Sequence, residues 1–472
     1  MEKVEQLLVM KFGGTSMGSA DRMKVAYELI CASAHSATNP RPVVAVVSAM
    51  SKITDLLLDT TRHAEAGDTA GMDRNLAELE RRHLEAAEGL LPGDAAVTTK
   101  VKELVSEFRR IVGGIRMLAH RPPRTVDEAI AIGERLSAML LAEYLRSRGV
   151  AAEAVNAAEA VVTDAVFNNA SPLMGPTTEK AQARLFPLLE AGVIPIVTGF
   201  NGATLDGRPT TLGRGGSDFS ASILAAALGA TELWIWTDVD GIMTADPRLV
   251  TDAKVLTEIT YGEAAELAYA GAKVLHPRTL APLVEKAIPV WSKNSFRPEV
   301  PGTRIVPKLA AGNHGARAVT SMKNVALVSL EPANSTVSGV RIMARALDAL
   351  DNADVEILAI SSSSYRQSFC FLVRGEELER STQAIESALA LEIAHGYVQP
   401  VAVDTNVGLL AVVGEGMRGF PGIAGRIFTA ISRENVNIIA IAQGSSELTI
   451  SIVVARDGLD RAVRAVHEEC RL

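Results

Sequence analysis

The sequence predicts an α/β fold in which a mostly parallel sheet lies between layers of helices, followed by a smaller repeated region. Three observations lead to this prediction. Short apolar runs alternate with longer amphipathic segments over about the first 293 residues, as in strand–helix–strand units. The runs are continuously apolar, which is typical of strands buried on both faces of a parallel sheet. The C-terminal part contains an internal repeat.

Composition and charge exclude several classes of protein. The 472 residues suggest roughly three domains at about 150 residues each. With 47 basic and 55 acidic residues the net charge is −8. A general nucleic-acid-binding protein is therefore excluded, because binding the phosphate backbone requires a basic surface. The N-terminus lacks a signal-peptide layout, and no apolar run approaches the roughly 18–20 residues that span a membrane. Cys31, Cys370 and Cys470 match no metal or disulfide spacing. We therefore expect a cytoplasmic protein that binds neither nucleic acid nor membranes.

The first 293 residues carry the predicted sheet. Its strands are the runs Leu7–Phe12, Val43–Val47, Val193–Val197, Leu233–Trp236 and Pro289–Trp291. Helical periodicity is found between them, for example over Asp127–Arg148 and Glu179–Leu189. Residues Val300–Ala318 are rich in proline, glycine and charge, which predicts a linker.

The region after the linker consists of two similar segments. The stretch that begins at Val355 aligns with the stretch at Val436, and Asn324 aligns with Asn406. Each segment indicates the order strand, loop, helix, strand, strand, helix, so the repeat predicts two βαββαβ units of about 80 residues. The predicted organisation is a large domain over 1–305, a linker over 306–320 and repeats over 321–400 and 401–472, with strand exchange between the repeats left open.

A glycine-rich turn follows the first predicted strand. The strand ends in Lys11-Phe-Gly-Gly-Thr-Ser16, and a helix capped by Ser19 follows. Glycines let backbone N–H groups approach an anion, and a helix N-terminus adds partial positive charge, so this turn is a candidate phosphate site. A tight turn with a solvated lysine is the alternative. The chain contains no Gly-Lys-Ser/Thr and no His-Arg-Asp, which excludes a P-loop and a protein kinase.

A second glycine-rich segment, Thr210–Asp218, is more specific. It combines three glycines, an arginine and an acid before a predicted helix over Phe219–Leu228. We expect Ser217 or Asp218 to cap this helix and Gly229 to end it. The guanidinium of Arg214 is suited to gripping a carboxylate. A structural loop seldom needs this combination, so the segment predicts an anion-binding site.

Two further segments supply polar residues near the same predicted sheet edge. In open α/β sheets ligands bind beyond the carboxyl ends of strands, where Thr237 and Asp238 follow the run Leu233–Trp236. An acidic surface turn is the alternative for that segment. Gly271–Arg278 offers Lys273 as a second cation, and a solvated helical lysine is the alternative there.

Together these segments resemble the aspartate kinases of the amino-acid-kinase family, and the repeats resemble the paired ACT domains of that family. The resemblance covers essentially the whole chain and is carried by Lys11–Ser16, Val47–Thr54, Gly133-Glu134, Thr210–Asp218, Trp236–Arg248 and Gly271–Pro277. It implies the amino-acid-kinase fold and phosphorylation of the β-carboxylate of L-aspartate by ATP with Mg²⁺. That reaction is the first step toward lysine, methionine and threonine.

The resemblance also implies roles for individual residues. Lys11 would contact the transferring phosphoryl group, Lys273 the ATP phosphates, and Asp218 would organise both lysines. Substrate binding is expected of Thr54, Glu134, Arg214, Gly215, Gly216 and Ser217, with Glu134 suited to the α-ammonium and Arg214 to a carboxylate. Nucleotide binding is expected of Lys11, Gly13, Gly14, Thr15, Ser16, Thr237, Asp238, Arg248, Lys273 and Val274. Met243 departs from the family pattern, in which a tyrosine is common near the nucleotide. No side chain is assigned as a metal ligand.

The second repeat contains a motif that invites a different interpretation. Gly414–Gly419 matches Gly-x-Gly-x-x-Gly between a strand and a helix, as in dinucleotide sites. That fingerprint requires an acidic residue about twenty positions later, whereas here the next predicted strand ends at Gln443. We interpret the loop as the strand-to-helix turn of an ACT unit.

The ACT resemblance implies feedback inhibition by an end-product amino acid, with threonine as the first expectation and lysine as the second. Candidate effector residues are Met417, Gly422, Ile423, Asn435 and Asn437. The repeats are also expected to join two copies into a homodimer or a dimer of dimers. Three alternatives stay open: ACT domains that only dimerise, a kinase for glutamate or N-acetylglutamate, and a catalytically silent amino-acid sensor.

Overall fold

The structure, a computed structural model, describes residues 6–213, 215–272, 275–309, 315–333, 338–364 and 368–472. The chain divides into two compact units. The first comprises Met1–Ile242, Thr257–Tyr261 and Leu275–Lys308. The second comprises Met243–Leu256, Gly262–Val274 and Leu309–Leu472. The two units are therefore interleaved along the sequence, and the chain passes between them more than once.

The first unit is built on an eight-stranded sheet with the order β3-β5-β2-β1-β8-β10-β11-β9. Neighbouring strands are parallel except β10 and β11, which are antiparallel. The strands are β1 (Leu8–Phe12), β2 (Val43–Val47), β3 (Ala152–Val155), β5 (Ile194–Thr198), β8 (Glu232–Thr237), β9 (Glu258–Thr260), β10 (Val290–Asn294) and β11 (Thr303–Val306). A small sheet contains β4 (Val162–Thr163), β6 (Asn201–Thr204) and β7 (Pro209–Thr211).

The predicted parallel sheet is confirmed, and burial explains why the sequence identified it. Every residue of β1, β2 and β5 is buried, so these strands require apolar side chains on both faces. A prediction that depends on continuous apolar runs therefore succeeds for the central strands. It overlooked β3, in which only the two end residues are buried, the short strands β9 and β11, and the three short strands of the small sheet.

Helices cover the sheet of the first unit. They are α1 (Ala20–Ala34), α2 (Ile53–Glu65), α3 (Thr69–Leu90), α4 (Ala95–Leu118), α5 (Pro123–Ile130), α6 (Ile132–Ser147), α7 (Met174–Glu190), α8 (Gly216–Leu228) and α10 (Pro277–Val284), while most of α9 (Tyr261–Tyr269) belongs to the second unit. The single helix expected over Asp127–Arg148 is two helices separated at Ala131. The first of them begins earlier, at Pro123, because proline suits the first helical position.

The predicted N-terminal cap of α1 is confirmed, and the predicted caps of α8 are wrong. Ser19 caps α1, and its side chain accepts a hydrogen bond from the Arg22 N–H. Neither Ser217 nor Asp218 caps α8, because the helix already begins at Gly216. Its cap is Gly215, whose φ of 68° is a left-handed conformation that glycine adopts at little cost. Gly229 ends the helix as expected.

The second unit contains two four-stranded sheets and the repeat. The first copy is β13 (Val325–Leu330), α11 (Gly339–Asn352), β14 (Ile357–Ser362), β15 (Phe369–Arg374), α12 (Leu378–Ala388) and the short α13 (Ala390–Ala394). The second copy is β17 (Val407–Val413), α14 (Ile423–Arg433), β18 (Ile438–Gln443), β19 (Thr449–Ala455) and α15 (Leu459–Cys470). Both copies therefore show the predicted order of strand, helix, strand, strand, helix.

An additional strand precedes each copy and joins the sheet of the other one. β12 (Ala318–Met322) pairs with β17, and β16 (Ala402–Asp404) pairs with β13. The sheet orders are β12-β17-β19-β18 and β14-β15-β13-β16. The stretch interpreted as a linker thus contains β11 and the start of β12.

The second repeat packs against a segment from the middle of the chain. Ala245 and Val250 belong to the same buried apolar cluster as α14 and α15. Nearby, the Thr244 hydroxyl lies 3.0 Å from Nε2 of the buried His467 on α15. Residues 243–256 are therefore structurally part of the C-terminal unit.

Candidate active site

The turn after β1 is shaped by close contacts that only small residues permit. The Gly13 N–H donates to the Trp236 carbonyl at the end of β8, at 3.2 Å. A Cβ atom at Gly13 would lie 3.3 Å from Nζ of Lys11, and one at Gly14 would lie 3.2 Å from the Ala49 carbonyl. The turn therefore presents backbone rather than side chains beside the lysine, as the phosphate-site prediction requires.

Lys11 and Asp218 form an ion pair at the centre of the first unit. Lys11 is the second-last residue of β1 and is buried, and its Nζ lies 2.6 Å from Oδ1 of Asp218. Asp218 lies in the first turn of α8, where the positive end of the helix dipole stabilises negative charge. The structure thus brings together two of the three residues predicted to be catalytic.

The loop before α8 is held in a conformation that demands glycine. Gly213 and Gly215 have φ values of 74° and 68°, and a Cβ atom at Gly216 would lie 2.5 Å from Cδ2 of Phe200. The side chain of Ser217 packs so closely on Gly199 that a Cβ atom there would lie 2.8 Å from it. Gly215, Gly216 and Ser217 are the predicted substrate residues that the structure describes in this loop. The fourth, Arg214, lies outside the described residues.

Glu134 has a buried carboxyl group, one oxygen of which has no hydrogen-bond partner. It lies in the first turn of α6, and its Oε1 accepts a hydrogen bond of 3.2 Å from the Ala49 N–H. Oε2 is buried and has no hydrogen-bond partner. Burial raises the pKa of this carboxyl to about 8, only partly opposed by the Ala49 N–H. An unpartnered buried oxygen of this kind is suited to a cationic ligand group.

Close helix packing positions Glu134 near the start of α2. A Cβ atom at Gly133 would lie 2.8 Å from Cβ of Ala49 and 3.2 Å from Cγ2 of Ile53, so α6 and α2 approach each other at this point. Thr54, the other predicted substrate residue, is the second residue of α2 and is half-buried.

The carboxyl ends of β8 and β10 form the predicted nucleotide side. The Thr237 carbonyl accepts the Ser295 N–H at 2.9 Å, and the hydroxyls of Ser295 and Ser16 lie 2.8 Å apart. Thr237 is half-buried, and Thr15 and Asp238 are exposed. These contacts link the turn after β1 to the end of the sheet where nucleotide binding is expected.

Sequence reasoning missed two residues of this network. The Arg22 guanidinium donates to the carbonyl and hydroxyl oxygens of Ser295, at 2.8 and 2.9 Å. Its central carbon lies 3.4 Å from the centre of the Phe296 ring. Arg22 and Ser295 are 273 residues apart, so no local pattern connects them. The only available signal was that Ser295 follows a predicted strand.

Three residues predicted to bind the nucleotide are not part of the site described above. Lys273 and Val274 lie outside the described residues. Arg248 belongs to the second unit, where its Nη2 lies 2.6 Å from Oδ2 of Asp246. Their roles remain predictions.

The second unit contains the predicted effector residues. Met417 and Ile423 are buried in the core of the second repeat, so a ligand there would meet their backbone rather than their side chains. Gly422 caps α14 with a φ of 89°. Asn435, with a φ of 54°, and Asn437 are exposed. Over the described part of the chain, none of the helices is both long and apolar enough for a membrane span.

Models of two known protein families match the N-terminal and the C-terminal parts of the chain. A family model described as the amino acid kinase family matches residues 6–294, and an ACT domain model matches residues 410–470. A curated relative, the chloroplastic bifunctional aspartokinase/homoserine dehydrogenase 1 of Arabidopsis thaliana, is 34% identical over 475 aligned positions. That alignment covers 99% of this chain and 51% of the relative, so the chain spans about half the length of such curated relatives.

Two solved structures of E. coli aspartokinase III are also similar. The complex with aspartate and ADP, in its R-state, has a TM-score of 0.83 and 30% identity, covering 99% of this chain and 100% of that one. The complex with lysine and aspartate, in its T-state, has a TM-score of 0.80 and 31% identity with the same coverage.

Proposed function

We propose that this chain, which belongs to the amino acid kinase family, is an aspartate kinase that transfers the γ-phosphoryl group of ATP to the β-carboxylate of L-aspartate. The observation that carries the proposal is the Lys11–Asp218 ion pair at the start of α8, with the unpartnered Glu134 carboxylate in the same unit. Similarity to aspartokinase III in complex with aspartate and ADP supports both substrates.

The chemistry explains why no general base is needed. A β-carboxyl group has an ordinary pKa near ~3.9, so the nucleophile is already ionised at neutral pH. Its oxygen attacks the γ-phosphorus, the bond between that phosphorus and the β,γ-bridging oxygen breaks, and ADP leaves with the electron pair. The difficulty is to bring two anions together, so catalysis rests on alignment and charge stabilisation.

The residues of this chain divide that work. Lys11 would neutralise charge on the transferring phosphoryl group, and Asp218 would hold the lysine in place. Glu134 would bind the α-ammonium through its free oxygen, while Arg214, Gly215, Gly216, Ser217 and Thr54 would complete the aspartate site. Nucleotide binding would fall on Gly13, Gly14, Thr15, Ser16, Thr237, Asp238, Arg248, Lys273 and Val274.

Magnesium fits this arrangement as a companion of ATP. Mg²⁺ in kinases is bound largely by phosphate oxygens and water, with few carboxylates. Within the described ranges no group of three or more His, Cys, Asp or Glu side chains is placed to hold a metal without a substrate. When bound with the nucleotide, the ion would supply charge stabilisation on the phosphates.

We assign catalysis to a domain over 1–305, followed by a linker over 306–320 and ACT domains over 321–400 and 401–472. Residues 243–256 and 262–274 of the catalytic domain lie in the compact unit of the repeats. The match of residues 410–470 to an ACT domain supports a regulatory role. Threonine is the preferred inhibitor from the resemblance, and lysine is the second candidate, since a similar aspartokinase forms a complex with lysine. Strands β14 and β18 leave Ile360, Ile439 and Ile441 about two-fifths exposed, which supports association of copies through these repeats.

A substrate comparison tests the catalytic proposal. ADP release would be measured with aspartate, glutamate and N-acetylglutamate, and hydroxylamine would trap an acyl phosphate product as its hydroxamate. We expect turnover with aspartate and little with the other two. Turnover with glutamate or N-acetylglutamate instead would identify another amino-acid kinase. No turnover with any of the three would favour the catalytically silent amino-acid sensor.

Regulation is tested with the same assay. Activity would be measured with millimolar threonine, lysine and both together, and mass would be determined by light scattering. We expect inhibition by threonine and a dimer or tetramer. An oligomer that none of these additions inhibits would reduce the ACT pair to a dimerisation platform.

A further inference from the structure

Asp127 is a fully buried carboxylate that lies outside every predicted site. It belongs to α5, the short helix that precedes α6, and its relative exposure is 0%. Seven residues later α6 carries Glu134, the proposed ligand of the substrate ammonium. A buried acid costs free energy unless hydrogen bonds compensate for lost hydration, so its partners indicate what it stabilises.

The partners of Asp127 come from two distant loops. The Thr211 hydroxyl donates to Oδ1 at 2.5 Å. The Asn168 N–H lies 3.2 Å from Oδ1 and 2.9 Å from Oδ2. Asn168 has a φ of 68°, a left-handed conformation that asparagine adopts more readily than other non-glycine residues. One carboxylate therefore fixes both the residue that ends β7 and the left-handed residue of the loop 164–171.

These two loops also contact each other directly. The Ala170 N–H donates to the Thr211 carbonyl at 2.9 Å. A Cβ atom at Gly213 would lie 2.7 Å from Oδ1 of Asn169, and that same oxygen accepts a hydrogen bond from Nη1 of Arg278 at 2.5 Å. The segment held by Asp127 therefore lies shortly before Gly215, the cap of α8, in the sequence.

We propose that Asp127 is a positioning residue for the aspartate site, acting by clamping the loop 164–171 and residues 211–213 to the helix pair that carries Glu134. This inference rests on the proposed function, because it assigns the carboxylate end of the substrate to residues 215–217 at the start of α8 and the ammonium end to Glu134. Asp127 touches neither end itself. It fixes the distance between the two groups that grip the ends of one small molecule.

The consequence is selective for one substrate. The turn after β1 and the ends of β8 and β10, where the nucleotide is expected, make none of the bonds described for Asp127. Loss of the clamp should therefore weaken aspartate binding and leave nucleotide binding in place. A general packing role would instead weaken both substrates together and lower the thermal stability.

The test compares Asp127→Asn with Asp164→Asn in the full chain. Asp164 holds the same loop through hydrogen bonds to the Val166 and Ser171 N–H groups, both at 3.1 Å, but these bonds stay within the loop. Dissociation constants for aspartate and for a non-hydrolysable ATP analogue would be measured by calorimetry, together with KM for each substrate. We expect aspartate binding and its KM to change about tenfold or more in Asp127→Asn only, with nucleotide values within twofold.

Other results would overturn the proposal. They are an unchanged aspartate affinity in Asp127→Asn, an equal loss for both substrates, or an equal loss of aspartate affinity in Asp164→Asn. If Asp127→Asn does not fold, Thr211→Val replaces it, because this variant removes a single donor to the carboxylate and keeps the volume. The same selective loss, about threefold or more, is then expected. A wild-type chain that does not turn over aspartate would show that the proposed function itself has failed.

Discussion

Two glycine-rich turns in this molecule look alike in sequence and differ in the charged groups beside them. One precedes α8 in the first unit and the other precedes α14 in the second unit. Both helices begin after a glycine with positive φ, Gly215 at 68° and Gly422 at 89°. Both turns follow a strand, as anion-binding turns do.

In the second turn the chain's own carboxylates occupy the amide donors. The Glu415 N–H donates to Oε1 of the buried Glu263 at 2.8 Å, and the Gly419 N–H donates to Oε2 of Glu447 at 2.7 Å. At the first turn the charged group beside the helix start is instead the Lys11–Asp218 pair. A glycine pattern thus predicts a backbone that can approach an anion, but not whether the protein supplies that anion itself.

The largest expected effect comes from removing the cation at the first turn. Lys11→Ala should lower kcat by about 10²–10³, because a lost charge-stabilising contact in the transition state typically costs that much. Steady-state kinetics with aspartate and ATP would measure the change, and circular dichroism would check the fold. Lys24→Ala on α1 is the matched control, since Lys24 pairs at the surface with Asp21. Near-normal turnover in Lys11→Ala would remove that lysine from the mechanism.

A pH series sharpens the comparison at the substrate side of the first unit. Burial raises the pKa of Glu134 to about 8, so its carboxyl group is largely protonated at pH 7 in the free enzyme. An ammonium ligand requires the ionised form. KM for aspartate should therefore rise as pH falls below 8, by up to about tenfold per unit.

The control for the pH series is Glu134→Gln, which cannot ionise. Its KM for aspartate should be high throughout and should not change between pH 7 and 8. A wild-type KM that is flat over this range would contradict the assignment of Glu134 to the ammonium.

The second turn should respond in stability instead of chemistry. Glu263→Gln removes a buried carboxylate acceptor, so we expect the free energy of unfolding to fall by about 1–3 kcal/mol while kcat without effector changes little. Urea denaturation followed by circular dichroism would measure it. Glu266→Gln, three residues along α9 and only half-buried, is the control. A large loss of kcat at unchanged stability would instead give Glu263 a role in catalysis. It would contradict the proposed difference between the two turns.

The smallest effect is expected at the other acceptor of the second turn. Glu447 lies near the surface, so Glu447→Gln should change the free energy of unfolding by no more than about 0.5 kcal/mol. The same denaturation experiment would report it. A destabilisation as large as that of Glu263→Gln would mean that both acceptors are equally important to the turn.

The sequence was informative where structure depends on neighbouring residues. Continuous apolar runs identified β1, β2 and β5, because burial on both faces leaves a local signature. Glycine-rich turns marked both ends of the Lys11–Asp218 pair. The family resemblance added Glu134, which a local pattern would not separate from other helical acids.

The remainder depends on contacts between distant residues. Arg22 meets Ser295 across 273 positions, and Asp127 meets Thr211 across 84. The exchange of β12 and β16 between the repeats likewise requires pairing partners that no periodicity specifies. The cap of α8 was mispredicted because a left-handed glycine, rather than a hydroxyl or carboxylate, starts the helix.

The interleaving of the two units limits how this chain could be recombined. Residues 243–256 come from the middle of the sequence, yet Ala245 and Val250 complete the apolar core around α14 and α15. A shuffled gene joined at the linker would bring a foreign C-terminal half to a segment shaped for the native one. An exchange of the C-terminal half that keeps its core intact would therefore have to replace residues 243–256 as well.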